Sequence, residues 1–213
     1  PRSTLDRSSA ASDVYKRQRL EVLAVPGYRA IKLALIHEDF STGPLPQAVV
    51  NAVIENPAYW AFCWGSGIAL ARYLRMHKGI VSGQRVLDLG SGSGIVAIAA
   101  CLNEARLVVA CDTDHDARLA IEVNTGINSV SVTTTGKASG HFDVALLADV
   151  LYDPCNHEVL EKARTLADTV LIADSRLKRT PQGFHQIDSM AARTFPNLGE
   201  FDEFRTVRFF RSH

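Results

Sequence analysis

Residues 85–100, RVLDLGSGSGIVAIAA, restrict the fold more than any other part of the 213-residue chain. An apolar strand at 86–89 runs into glycines at 90, 92 and 94, and a run of small apolar residues follows. A strand that turns through alternate glycines into a helix opens a helix-wound parallel sheet, and that turn is the usual grip on a ligand. The downstream pattern agrees. Apolar strands at 107–111, 130–134, 142–147 and 169–173 alternate with helical patterns at about 93–103, 114–124 and 154–166. Such alternation predicts an α/β protein, with a doubly wound sheet covered by helices on both faces.

The remaining segments read less sharply. Two apolar stretches within 21–36 flank Pro26 and Gly27 and suit a marginal hairpin. Residues 44–55 suit a short helix, and the aromatic segment PAYWAFCWGSG feeds a second one, with Gly79 as its stop. A helix is expected over 183–193, followed by an antiparallel edge strand in EFDEFRTVRFFR. The first eighteen residues are polar and rich in serine and arginine, and they resemble translated sequencing-adapter sequence. They are set outside the fold, and Asp6 and Asp13 argue against a transit peptide. Residues 19–213 are then expected as one domain, with 19–80 as extension and lid and 81–213 as the binding core.

Composition excludes several classes. Formal net charge is zero, which removes any bulk electrostatic reason to bind nucleic acid or an anionic membrane. No apolar run approaches the roughly 18 residues needed to span a bilayer. Cys63, Cys101, Cys111 and Cys155 form no CxxC pair and have no histidine at ligand spacing, so free thiols and no metal are expected. His115 and His157 stand at helix starts beside acids and suit surface or capping roles.

Asp88, two residues before the first glycine, decides between ligands. A pyrophosphate beside it would meet a like charge in a partly desolvated cleft, at several kcal/mol. S-adenosyl-L-methionine carries a sulfonium and an ammonium and no phosphate, so a carboxylate favours it. The dinucleotide fingerprint would also need its third glycine where Ile95 stands. Asp112 ends the second strand, where a carboxylate can accept ribose hydroxyls. It could instead cap the next helix, a role that Asp114 fits better. TTTGKASG offers candidate adenine contacts without a decisive one.

VLDLGSGSG, the earlier AYWAFCWGSG, the later ADVLYD and the strand TVLIADSRLKR together resemble the seven-β-strand, Rossmann-like S-adenosylmethionine-dependent methyltransferases. The likeness is to the family 16 protein-lysine methyltransferases, in the branch acting on the electron transfer flavoprotein β subunit, and it spans about 25–211. It implies a cofactor site of Trp64, Asp88, Gly90, Ser91, Gly92, Gly94 and Asp112. It also implies an acceptor pair, Asp149 and Tyr152, and a protein partner presenting a lysine. Gly65 departs from the proline common in that branch. A small-molecule, nicotinamide-like N-methyltransferase and a non-catalytic cofactor-binding protein are the alternatives. A cytoplasmic location is expected, or the mitochondrial matrix for a eukaryotic chain. A lysine amine is mostly protonated at neutral pH, a deficit of about 4–5 kcal/mol. A nearby carboxylate deepens that deficit, so Asp149 is expected to dock the lysine and Tyr152 to line its channel. Tyr59 and Trp60 are expected as packing residues.

Overall fold

The computed structural model describes residues 20–37, 57–151, 157–177, 179–199 and 201–212. The helix expected at 44–55, Tyr152 and Cys155 lie outside them. The described chain runs β1 (Leu20–Ala24), β2 (Lys32–Ile36), α1 (Gly65–Met76), β3 (Arg85–Leu89), α2 (Ile95–Leu102), β4 (Leu107–Cys111), α3 (His115–Ile127), β5 (Thr133–Thr135), β6 (Phe142–Ala148), α4 (His157–Leu166), β7 (Ala167–Asp174), β8 (Phe184–Ala191) and β9 (Thr206–Ser212). Seven strands form one sheet in the order β5-β4-β3-β6-β7-β9-β8, and β1 and β2 form a separate antiparallel hairpin. Strands β3 to β7 pair in parallel, while β9 runs antiparallel to both β7 and β8.

Alternation along each central strand divides the core. Val86, Val144 and Leu146 face α1 and α2, and Leu87, Ala145 and Leu147 face the α4 side. Every residue of α2 from Ile95 to Ala100 is buried, which explains its small, uniformly apolar sequence. Gly67 lets α1 lie close to α2, since a Cβ there would stand 3.0 Å from the Ile95 methyl. The β1–β2 hairpin is held against α3 by two asparagines. Asn124 Oδ1 accepts the Ala34 N–H at 2.7 Å, and its Nδ2 donates to the Ser93 carbonyl at 2.8 Å. Asn128 both accepts from the Lys32 N–H and donates to the Lys32 carbonyl, imitating a strand partner. Asn124 therefore links the hairpin to the glycine loop.

Three expectations fail in detail. The segment over 183–193 is strand β8, because an antiparallel ladder with β9 satisfies its backbone and overrides local helical preference. For the same reason β9 is interior and β8 is the edge. Helix α1 ends at Met76, where the His77 N–H bonds the Tyr73 carbonyl, and Gly79 falls in a following 3-10 turn.

Candidate functional site

A cavity of about 550 Å³ opens over the carboxyl ends of β4, β3 and β6, with Arg176 just past β7 completing one wall. Ligands gather at this edge of a wound sheet because the strand ends and loops diverge there. The wall comprises Leu89, Gly90 and Gly92 from the β3 loop, residues 111–114 from the β4 end, and 148–150 from the β6 end. Tyr59, Trp60, Trp64, Ala117, Val159, Lys162 and Arg176 complete it.

The glycine loop is shaped by its backbone. Gly90 has φ +78°, and a Cβ there would fall 2.7 Å from a Val150 methyl, so any side chain would collide as well as strain. Gly92 is at φ +54° with no atom within 4 Å of a Cβ position, leaving its backbone open to a ligand. Asp112 stands on the cavity wall at the tip of β4. Its Oδ2 accepts the Gly92 N–H at 2.9 Å and its Oδ1 the Asp114 N–H at 3.0 Å, which clamps the carboxylate while leaving lone pairs on both oxygens. Burial raises its pKa, partly offset by those amides. Asp114 caps α3 by accepting the Asp116 N–H, as expected.

Asp88 behaves differently from its expected role. It is 2% exposed and absent from the cavity wall, and its Oδ2 accepts from the Ser91 hydroxyl at 2.5 Å and the Ala97 N–H at 3.0 Å. Burial pushes its pKa up to about 7, against the lowering effect of those two bonds. Asp88 therefore braces the loop from beneath, and Ser91 and Gly94 likewise lie off the wall. Several backbone amides of the loop are committed within the protein and so turned from any phosphate. The Gly90 and Ser91 amides donate to the Cys111 carbonyl, Gly92 to Asp112, Gly94 to the Ser91 carbonyl and Ala97 to Asp88. A phosphate grip needs such amides unengaged.

Asp149 follows β6 in the left-handed region, at φ +52°. Asp tolerates this backbone better than most side chains. Its carboxylate reaches the start of α1, accepting the Ser66 N–H at 3.0 Å and the Ser66 hydroxyl at 2.6 Å. An Arg176 nitrogen stands 3.8 Å away. Burial pushes its pKa up to about 6, opposed by the Ser66 hydroxyl and reinforced by Asp174. Trp64, immediately before α1, is fixed on both sides. Cys63 and Phe195 exchange backbone hydrogen bonds of 2.7 and 2.8 Å, and Trp64 Nε1 donates to the Tyr59 carbonyl.

The structure thus brings Trp64, Gly90, Gly92, Asp112 and Asp149 onto one wall. Tyr59 and Trp60, expected only to pack, also line it. Ser66, Lys162 and Arg176 were not anticipated. A serine at the start of a helix is a readable signal for the first, and a cation two residues past a strand end for the last. No residue of TTTGKASG lines the cavity; Thr113, Asp114 and Ala117 stand beside Asp112 instead. Among the described residues no cluster of His, Cys, Asp and Glu suits a metal.

The fold has solved counterparts. The ribosomal protein L11 methylase from Lactobacillus delbrueckii subsp. bulgaricus matches with TM-score 0.50 and 24% identity, over 68% of this chain and 77% of its own. The magnesium protoporphyrin IX methyltransferase of Synechocystis PCC 6803, solved with bound SAH, matches with TM-score 0.52 and 13% identity over 81% of this chain and 90% of its own. This is the methyltransferase fold. In sequence, the model of the ribosomal protein L11 methyltransferase (PrmA) family matches residues 69–171. The mouse electron transfer flavoprotein beta subunit lysine methyltransferase is 43% identical over 101 residues, which are 45% of this chain and 40% of that protein. The human protein of the same name is 36% identical over 131 residues, 56% of this chain and 50% of its own. The chain spans half or less of the length of these curated relatives.

Proposed function

We propose that the chain is an S-adenosylmethionine-dependent N-methyltransferase that methylates a lysine side chain of a protein. The observation that carries this reading is the placement of two clamped carboxylates along one cavity. Asp112 and Asp149 stand at the tips of β4 and β6, with the β3 glycine loop between them. Two strand spacings, ~10 Å, separate those tips. That span suits a nucleoside on Asp112 with its reacting end towards Asp149. S-adenosylmethionine supplies, when bound, a sulfonium methyl that a neutral amine can accept.

The chain's own groups do the rest. Asp112 offers its remaining lone pairs to the ribose hydroxyls, and the open backbone of Gly92 admits the ligand. Trp64, Trp60 and Tyr59 cover the cavity and exclude water, which strengthens every polar contact inside. Asp149 orients the incoming lysine from the far side. Most of the rate comes from alignment, because the methyl donor is already activated. The names of the relatives favour the electron transfer flavoprotein β subunit as acceptor. No described helix is long and apolar enough to cross a membrane.

The test is transfer of tritiated methyl to a panel: electron transfer flavoprotein β subunit, ribosomal protein L11 and nicotinamide. Label in a lysine of either protein supports the reading. Label only in nicotinamide, or in nothing, refutes it.

A further inference from the structure

Arg176 is the cavity's least expected feature. It lies two residues past the end of β7, and its amide is fixed by Asp174 Oδ1 at 2.7 Å. Its guanidinium stands 5.6 Å from the Trp64 ring centre and 5.0 Å from that of Phe204, so two aromatic faces hold it. It also faces Asp149 at 3.8 Å, and its side chain is only 24% exposed. Aromatic faces beside a carboxylate are what a protein uses to capture a cation. Here the captured cation belongs to the chain itself.

We propose that Arg176 is a resident cation of the acceptor end, which makes that end take its acceptor as an uncharged amine and reject acceptors that cannot shed their charge. This deepens the lysine reading and rests on it. With Asp149 already faced by a guanidinium, a second cation gains little attraction and meets a like charge at close range. A neutral amine meets no such repulsion, and it reaches the cavity after leaving its proton to bulk water. Guanidinium and quaternary ammonium groups have no neutral form near physiological pH and are excluded. Arg176 is thus a specificity-determining residue that answers the problem Asp149 alone would create.

Among the described residues, the charged groups near it come from several elements, and β9 supplies Arg208, which donates to the Leu177 carbonyl at 3.3 Å. Asp149 approaches from the end of β6 and Asp174 from the end of β7, while the start of α1 contributes Trp64 and the uncharged Ser66. The 3-10 turn Asp202–Arg205 contributes Phe204, and its Asp202 and Arg205 pair with each other. Lys162 from α4 lines the same cavity.

The test needs no turnover in its first arm. Both tryptophans of the chain line the cavity, so intrinsic fluorescence reports its occupancy. Tetramethylammonium is titrated into the wild type, Arg176→Met, Arg176→Gln and Arg176→Lys. The two neutral variants leave an aromatic, anionic pocket and bind it about tenfold tighter or more than the wild type, while Arg176→Lys stays near the wild type. In the second arm, kcat for lysine methylation is followed against pH, because kcat reports the protonation of the bound acceptor, and the acid limb of Arg176→Met moves about one pH unit higher. Equal tetramethylammonium affinity in all folded chains overturns the proposal, as does an unmoved pH profile with only a lower kcat. A tetramethylammonium gain in a chain that methylates no lysine upholds the resident cation and refutes lysine as the acceptor.

Discussion

Replacing Asp149 separates the structural work of its carboxylate from the acceptor role proposed for it. Its carboxylate caps the start of α1 through the Ser66 N–H and hydroxyl, and its backbone sits at φ +52°. Asp149→Ala removes both acceptors from a serine that is fully buried and places a Cβ-bearing residue without local hydrogen bonds in the left-handed region. Loss of a helix cap and of charge-assisted bonds costs about 2–4 kcal/mol. Asp149→Gly loses the same bonds and escapes the backbone strain, so it matches or exceeds the alanine variant by up to about 1 kcal/mol. Asp149→Asn keeps the shape. Its Oδ1 can accept the Ser66 N–H while its Nδ2 donates to the hydroxyl oxygen, so the loss falls to about 1 kcal/mol. Because the cap holds the segment carrying Trp64, Asp149→Ala also weakens S-adenosylmethionine binding. Asp149→Asn leaves binding within about threefold, under 1 kcal/mol, yet loses methyl transfer. Urea unfolding gives the stabilities, tryptophan fluorescence the affinity and tritium transfer the activity. Full methyl transfer by Asp149→Asn, or equal destabilisation by Asn and Ala, refutes this division.

Asp88→Asn removes part of the pH dependence of stability. Burial raises the Asp88 pKa from 3.8 to about 7, so the fold favours the neutral form. That contribution is complete below about pH 4 and is lost as the pH climbs through 7. The wild type should therefore lose stability relative to Asp88→Asn between pH 5 and 8, by a few kcal/mol at most; thermal melts that run parallel contradict it. Asp112→Ala weakens S-adenosylmethionine binding by about 1–3 kcal/mol, since it deletes the ribose acceptor and frees the Gly92 amide; calorimetry showing unchanged affinity contradicts it. Asn124→Ala strands the Ala34 N–H and the Ser93 carbonyl. It costs about 2–4 kcal/mol in urea unfolding and speeds amide exchange in β2, and a loss below about 1 kcal/mol contradicts it.

What the sequence shows and hides follows from the reach of each interaction. Strand β3, the glycine loop and α2 are legible because alternate glycines between an apolar run and a small-residue helix have one economical backbone solution. Strand β4 and the capping role of Asp114 are local in the same sense. Asp88 shows the limit. Its position at the strand end is readable, but which way its carboxylate turns depends on Ser91 and Ala97, and it turns under the loop. Strand β8 is illegible because only β9, some twenty residues later, makes its ladder favourable. The proposed acceptor end is assembled from Trp64 before α1, Asp149 after β6 and Arg176 after β7, which meet only once α1 has packed against the sheet.

A crystal structure of the chain grown with both S-adenosylhomocysteine and NAD puts the choice of ligand directly. S-adenosylhomocysteine should occupy the cavity, its ribose hydroxyls on Asp112 and its sulfur between the glycine loop and Asp149. A dinucleotide there, with its pyrophosphate against Gly90 and Gly92, would contradict the reading of this site.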